Sequence, residues 1–243
     1  MPIEGVPAMP DPGVIELRQY TLQPGRRDAL VALFEREFVE SQEAAGLRVL
    51  GTFRDLDDPD RFVWLRGFDA LEGRAAALQR FYGGPVWQAH RDAANATIVD
   101  SDNVFLLRPA GCEHALAAAL CARDGAPATS VYTITLCPLR EAPGEAQWRA
   151  FDQHIHPWSA GVGGDLLACW MTESAPNDFP RLPVREGEPA IAWLTRFDDE
   201  AAQRRHAQLL RESGCLDHPE WRRHLRGEVV TVRLAPTPRS ALR

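Results

Sequence analysis

The chain contains no lysine: all 27 of its basic side chains are arginine. That absence removes Schiff-base chemistry on a lysine amine, and it removes the P-loop, whose lysine reaches the phosphates of a nucleotide. Basic residues are also outnumbered by 34 acidic ones, and the resulting formal charge of −7 argues against nucleic acid or an anionic membrane as the main partner. Long apolar runs are missing too. The longest, Ala115 to Ala122, falls far short of the roughly 20 residues that a bilayer crossing needs. No basic flank precedes an apolar run at the amino terminus, so the expectation is a cytoplasmic protein without an address. Five cysteines (Cys112, Cys121, Cys137, Cys169, Cys215) form an odd, widely spaced set with no CxxC pair, which reads as reduced thiols rather than a disulfide framework. There is no GxSxG elbow, no HExxH and no GxGxxG turn, and no cofactor is expected.

What is present is a repeat. Trp64-Leu-Arg-Gly-Phe68-Asp69 returns as Trp193-Leu-Thr-Arg-Phe197-Asp198, each closing a strand-like run ahead of an alanine-rich helical pattern. Pro85-Val-Trp87-Gln-Ala-His90 returns as Pro219-Glu-Trp221-Arg-Arg-His224 just before the last strand of its half. Val14 to Leu22 and Ser130 to Leu139 each open a half as a strand.

Within the first copy, Val14 to Leu22 alternates, with Ile15 and Leu17 on one side and Glu16, Arg18 and Tyr20 on the other. Pro24-Gly25 ends it. A helix is predicted from Arg26 to Ala45, with Leu30, Leu33, Phe34 and Phe38 on one face and Gly46 placed to end it with positive φ. Arg48 to Phe53 and Phe62 to Phe68 read as a hairpin around the polar turn Asp55 to Asp60. Asp69 opens a helix that runs to Gly83-Gly84, a short helix starts at Pro85, and Asn103 to Arg108 is the last strand. The second copy repeats this with strands at Val131 to Leu136, Leu166 to Thr172, Ala190 to Phe197 and Glu228 to Leu234, and helices near Glu145 to Ile155 and Glu200 to Glu212. The order βαββαβ is the ferredoxin-like unit, and the class is α+β. The expected division is a flexible segment 1–13, a first domain 14–109, a linker 110–129 with a helical piece from Cys112 to Arg123, a second domain 130–236 and a tail 237–243. Each open sheet would be covered on one face by its own helices and needs a partner sheet on the other. Two units in one chain can supply each other as an α/β barrel with antiparallel sheets and outer helices, or each can pair with a second chain. Bare strand edges lead to the expectation of a homo-oligomer.

Several segments of the first half resemble the NIPSNAP family. They are Glu16-Leu-Arg-Gln-Tyr20-Thr-Leu-Gln-Pro-Gly25, Phe62-Val-Trp-Leu-Arg-Gly-Phe68, the stretch from Phe81-Tyr-Gly-Gly-Pro85 to Asn95, and Asp100-Ser-Asp-Asn-Val104. The second half resembles the family loosely and lacks the Tyr-Gly-Gly-Pro form of Tyr82 to Pro85. The resemblance implies the dimeric α/β-barrel fold shared with small stress-response proteins and cofactor-independent monooxygenases, in a family whose own activity is poorly defined.

Alternation along the strands gathers the candidate site. If Ile15 and Leu17 face the helices, Glu16, Arg18 and Tyr20 face the barrel lumen, joined there by Trp64 and Arg66. Glu16 can neutralise one arginine, and the other suits a carboxylate, phosphate or enolate. His90, on the same helical side as Trp87, is a candidate general acid or base, which Asn95 and its acidic neighbours could orient or which could simply bond a carbonyl near the helix end. The His154-Ile-His156 spacing would suit a metal on a strand, but it falls at a helix end, where residues two apart diverge, and no metal is assigned. The Pro-rich loop Asn177 to Gly187 is longer than its counterpart in the first half and reads as a lid or an arm sealing an interface. Two readings stand open. In one the lumen binds a small anionic or aromatic molecule through Glu16, Arg18, Tyr20, Trp64, Arg66, Trp87 and Asn95, as a cofactor-independent enzyme if chemistry follows. In the other the barrel is filled and the protein is a non-enzymatic interaction or scaffold protein.

Overall fold

The structure is a computed structural model that describes residues 10–110, 116–123, 128–161 and 163–243. In the first unit, β1 (Val14–Leu22) leads into α1 (Arg27–Leu33), a π-helical turn (Phe34–Phe38) and α2 (Val39–Ala44). Then come β2 (Arg48–Asp55), β3 (Arg61–Phe68), α3 (Leu71–Gly83), α4 (Pro85–Asn95), β4 (Ile98–Asp100) and β5 (Val104–Pro109). After α5 (Leu116–Ala119), the second unit runs β6 (Val131–Pro138), α6 (Glu145–His154), α7 (His156–Gly161), β7 (Asp165–Thr172) and β8 (Ala190–Phe197). It ends with α8 (Glu200–Ser213), a 3-10 turn (Cys215–Asp217), α9 (Pro219–Arg222) and β9 (Val230–Pro236).

Local chemistry sets most of these boundaries. Gly46 takes φ +88° just past the first helical stretch, a conformation in which a Cβ would be strained. Pro85 and Pro219 sit in the first turns of α4 and α9, where a missing N–H costs nothing, and Asp199 caps α8 by accepting from the Ala202 amide at 2.7 Å. The one long helix expected from Arg26 to Ala45 is instead broken by the π-helical turn, and β4 is a short strand the sequence reading did not include.

Strand pairing runs β5-β1-β3-β2 in the first unit and β9-β6-β8-β7 in the second, the ferredoxin-like order twice. The units then join at both edges, β2 against β9 and β5 against β7, so that eight antiparallel strands close a barrel within one chain, with helices outside. The edges that motivated self-association are paired here internally.

Closure reverses the expected faces. Ile15, Leu17, Val63 and Leu65 point inward and pack with Tyr132, Ile134, Leu194 and Leu234 into one interior core. An eight-stranded barrel has room for its own side chains or for one small ligand, and this one is filled by side chains. Glu16, Arg18, Tyr20, Trp64 and Arg66 therefore lie on the outer face, beneath the helices of the first unit, and not in the lumen. Tyr20 and Trp64 belong to a separate core with Phe34, Phe38, Leu78 and Phe81.

Residues 237–243 are no loose tail. Leu242 is fully buried in the barrel core, Thr237 and Thr52 hydroxyls lie 2.6 Å apart, and the Tyr132 hydroxyl donates to the Arg243 carbonyl at 3.0 Å. At the other end, Pro10 is held through its carbonyl by Arg48 at 2.7 Å, so the described part of the segment 1–13 is tied down. The predicted helix Cys112 to Arg123 falls partly outside the described residues; within them it is helical only over α5 and stops before Leu120, which bridges to Leu242. Cys121, Cys137 and Cys215 are free thiols, whereas Cys169 is disulfide-bonded, which corrects the expectation of reduced thiols throughout. No helix among the described residues is long and apolar enough to cross a membrane.

Candidate functional site

Strand register builds the site. On the outer face of the first unit Glu16 sits opposite Arg66 and Arg18 opposite Trp64. Side chains two apart on one strand share a face, so Glu16, Arg18 and Tyr20 line up beside Arg66 and Trp64. The Glu16 carboxylate is the hub. Its Oε2 accepts from Arg18 Nη1 at 2.8 Å and from Arg66 Nε and Nη2 at 3.0 and 2.5 Å, and its Oε1 accepts from Arg74 Nε at 2.7 Å. All four side chains are shielded from solvent, at 0 or 1% exposure. Burial alone would push the Glu16 carboxyl up, but Arg66, Arg18 and Arg74 outweigh it and hold the group far below its usual 4.5. Burial likewise pushes the Arg18 guanidinium down, yet Tyr20 and Glu16 reverse the effect and keep it charged.

Around this hub stands an aromatic wall. Arg66 lies 5.0 Å from the Trp64 ring and Arg18 5.6 Å from it, both in cation–π range. Phe34 meets Trp64 edge-on at 4.8 Å, and Phe38 meets Phe81 at 5.9 Å. Both phenylalanines come from the π-helical turn, and their spacing of four residues keeps both on the sheet side. The wall and the hub enclose a cavity of about 110 Å3 lined by Arg18, Tyr20, Gln42, Trp64, Tyr82 and Trp87, with Asn95 and Leu182 also in its walls.

Its polar groups are mostly donors. Tyr20 accepts from Arg18 Nε at 3.0 Å and Tyr82 from Arg66 Nη1 at 3.3 Å, leaving each hydroxyl proton to give away. Burial pushes the Tyr20 hydroxyl up against the opposing pull of Arg18, which keeps that proton in place near neutrality. Gln42 Oε1 is taken by Arg66 at 3.1 Å, while Gln42 Nε2 and the Trp64 indole N–H are buried with no partner among the described residues.

Of the residues singled out from sequence, Arg18, Tyr20, Trp64, Trp87 and Asn95 line this cavity, and Glu16 and Arg66 support it from beneath. His90 does not line it. Its Nε2 lies 3.4 Å from a Glu37 carboxylate oxygen and its ring 6.5 Å from Phe38, because one turn beyond Trp87 the side chain has already left the pocket for the outside of the helix layer. The pair His154 and His156 is split by the break between α6 and α7: His154 stacks on His218 at 3.7 Å and His156 on Phe151 at 6.1 Å. No metal-ligating cluster occurs among the described residues.

Sequence reasoning missed Arg74, Gln42, Tyr82 and the reach of the Asn177 to Gly187 loop. Arg74 had a signal, since it falls four residues before Leu78 on the buried side of α3. The loop had none. It leaves the second unit and lies across the first as an arm: Arg74 Nη1 donates to Asn177 Oδ1 at 3.1 Å and to Asp178 Oδ1, Phe179 stacks on Tyr82 at 6.4 Å, and Leu182 closes one side of the cavity. In the second unit the matching outward positions are neutral. Thr133 faces Thr195 and Thr135 faces Trp193, so three threonines stand where the first unit has Glu16, Arg66 and Arg18.

Residues 15–112 match the family model described as NIPSNAP. No curated protein matches the chain. Among solved structures, an anthrone oxidase-like protein is similar over 93% of this chain and 92% of its own, with a TM-score of 0.57 and 14% identity. A candidate monooxygenase from Lactobacillus acidophilus NCFM covers 93% of this chain and 94% of its own, with a TM-score of 0.54 and 12% identity. An uncharacterised NIPSNAP domain protein from Burkholderia xenovorans is 22% identical, matching 41% of this chain and 98% of its own, with a TM-score of 0.38. At these identities the likeness of the two full-length matches is one of fold.

Proposed function

Because residues 15–112 match the NIPSNAP family model, we propose that this chain binds a small planar molecule, anionic or aromatic, in the pocket between the outer face of the first unit's sheet and its helices. One observation carries the reading: buried guanidiniums in excess over buried carboxylate, opening onto an aromatic-walled cavity with unpartnered donors. Buried charge without a partner costs several kcal/mol, and a site that maintains it is built to receive something. The guanidinium fork of Arg18 matches a carboxylate or enolate oxygen, and the same contact would hold negative charge that develops on a bound molecule. A cofactor-independent reaction is the extension of this reading, with the hydroxyl protons of Tyr20 and Tyr82 as the groups available for transfer. The fold shared with proteins described as oxidases or monooxygenases supports that extension by analogy alone.

The filled lumen is the observation that favours a second reading, a non-enzymatic interaction protein. Native mass spectrometry of the purified protein, beside a thermal-shift screen of small carboxylates, phosphates and aromatic metabolites, separates the two. A co-purifying mass, or stabilisation that disappears when Arg18 and Arg66 are neutralised, is the expected result. A protein that carries nothing and that no compound stabilises would move the weight to the interaction reading.

A further inference from the structure

Resting on the pocket reading above, we propose that the site selects a monoanion of one ring or smaller, and that Asp178, delivered by the second unit's arm, sets that charge. The inference comes from counting charges and the bonds each can make. Three guanidiniums, Arg18, Arg66 and Arg74, meet two carboxylates, Glu16 and Asp178, leaving one positive charge in excess.

The distribution of bonds says where that excess is felt. Glu16 spends both oxygens on the three arginines and has none left for the pocket. Arg74 is turned away, occupied by Glu16, Asn177 and Asp178, and Asp178 spends its second oxygen on the Ala75 amide at 3.1 Å. Arg66 is engaged by Glu16, Gln42 and Tyr82. Arg18 is the guanidinium of the three that lines the cavity, beside the unpartnered Gln42 and Trp64 donors. A single anionic group against Arg18 brings the cluster to neutrality, and a second would be left uncompensated in a buried site.

Size narrows the class. An apolar cavity of roughly 150 Å3 takes a benzene ring, so the 110 Å3 here admits a small planar acid or one ring projecting toward the cavity mouth. Monocarboxylates, phenolates and enolates share the needed chemistry: a planar oxyanion on a flat apolar body.

The test uses the full chain and the fluorescence of Trp64 and Trp87, with acetate, benzoate, neutral benzamide and the dianion phthalate as probes. Benzoate is expected to bind saturably and at least about tenfold more tightly than benzamide, since a charge contact in a partly buried site exceeds the 1.4 kcal/mol that tenfold represents. Arg18→Gln should bring benzoate and benzamide together. Asp178→Asn, at a position 25% exposed and with an amide oxygen still able to accept from Arg74, should fold. It should raise phthalate affinity relative to benzoate by about tenfold, a ratio in which ligand size cancels. Equal binding of benzoate and benzamide to the unaltered protein would overturn charge selection while leaving the pocket standing. An unchanged phthalate-to-benzoate ratio in a folded Asp178→Asn protein would overturn the role of Asp178. No binding by any of the four probes would remove the pocket reading as well.

Discussion

Glu16 shows how one side chain can be bound into both the stability and the chemistry of a site. Deleting its charge leaves three buried arginines facing each other, with Asp178 reaching only one of them. We expect Glu16→Gln to destabilise the fold by about 3–5 kcal/mol, as breaking a buried ion pair does, measured by urea denaturation at neutral pH. The pH dependence follows from its depressed carboxyl. A group held lower in the folded protein than in the unfolded one contributes stability that is complete above its unfolded value, and that is lost as pH falls through that value toward the folded one. The unaltered protein should therefore lose stability below about pH 4.5, the usual Glu value, and the acid limb of the Glu16→Gln variant should be shallower. Parallel acid limbs in the two proteins would place the charge coupling elsewhere. Neither effect is legible in Glu16 as a letter. Alternation along the strand pairs Glu16 with an arginine but assigns both to the lumen, and their burial beneath the helices shows only in the fold.

Two elements shape the pocket, and each carries its own prediction. The π-helical turn gains one residue over a regular helix, and that residue sets the register in which Leu30 before it and Gln42 after it both reach the pocket beside Phe34 and Phe38. Deleting the solvent-exposed Arg36 should let the segment close as ordinary α-helix. Far-UV circular dichroism should be unchanged while ligand-induced stabilisation is lost; retained stabilisation would show that the turn is incidental to binding. The arm from Asn177 to Gly187 is anchored by the bonds of Asn177 and Asp178 to buried Arg74 and by Phe179, which is 8% exposed, with Leu182 packed beside it. Phe179→Ala should loosen the arm at a cost of about 2–4 kcal/mol, within the range for large-to-small substitutions at buried sites. It should also raise the acrylamide accessibility of the tryptophans beneath. Both elements look ordinary in sequence: FEREF fits an amphipathic helix, and a Pro-rich loop fits a surface excursion.

At the scale of the molecule, one chain does what two single-unit chains would otherwise have to do together. Strands β2 and β5 of the first unit find β9 and β7 of the second, and the inward residues Ile15, Leu17, Val63 and Leu65 find a partner sheet. Residues 14–109 expressed alone would expose both edges and that apolar face. Light scattering should then report a dimer or larger species for the fragment, as bare edges require. A monodisperse fragment monomer would mean that the barrel half is self-sufficient. The two copies have also parted in chemistry. Threonines at 133, 135 and 195 keep the second unit's equivalent face neutral, while its loop was recruited to complete the pocket of the first.

The order of elements, the tandem repeat and the ferredoxin-like unit were readable from the amino acids alone, because periodicity, glycine and proline turns and helix caps act within a few residues of where they are written. The company kept by Glu16, Arg18, Tyr20, Trp64 and Arg66 was readable too, since residues two apart on a strand must share a face. Which face pointed inward was not. Alternation is symmetrical, and the choice between lumen and helix layer was decided by barrel closure, which brings the apolar faces of the two sheets together inside. Tertiary structure alone likewise brought Arg74 and Asp178 to the cluster and carried His90 away from it, because contacts across more than a hundred residues, such as Arg74 to Asp178, have no local signature.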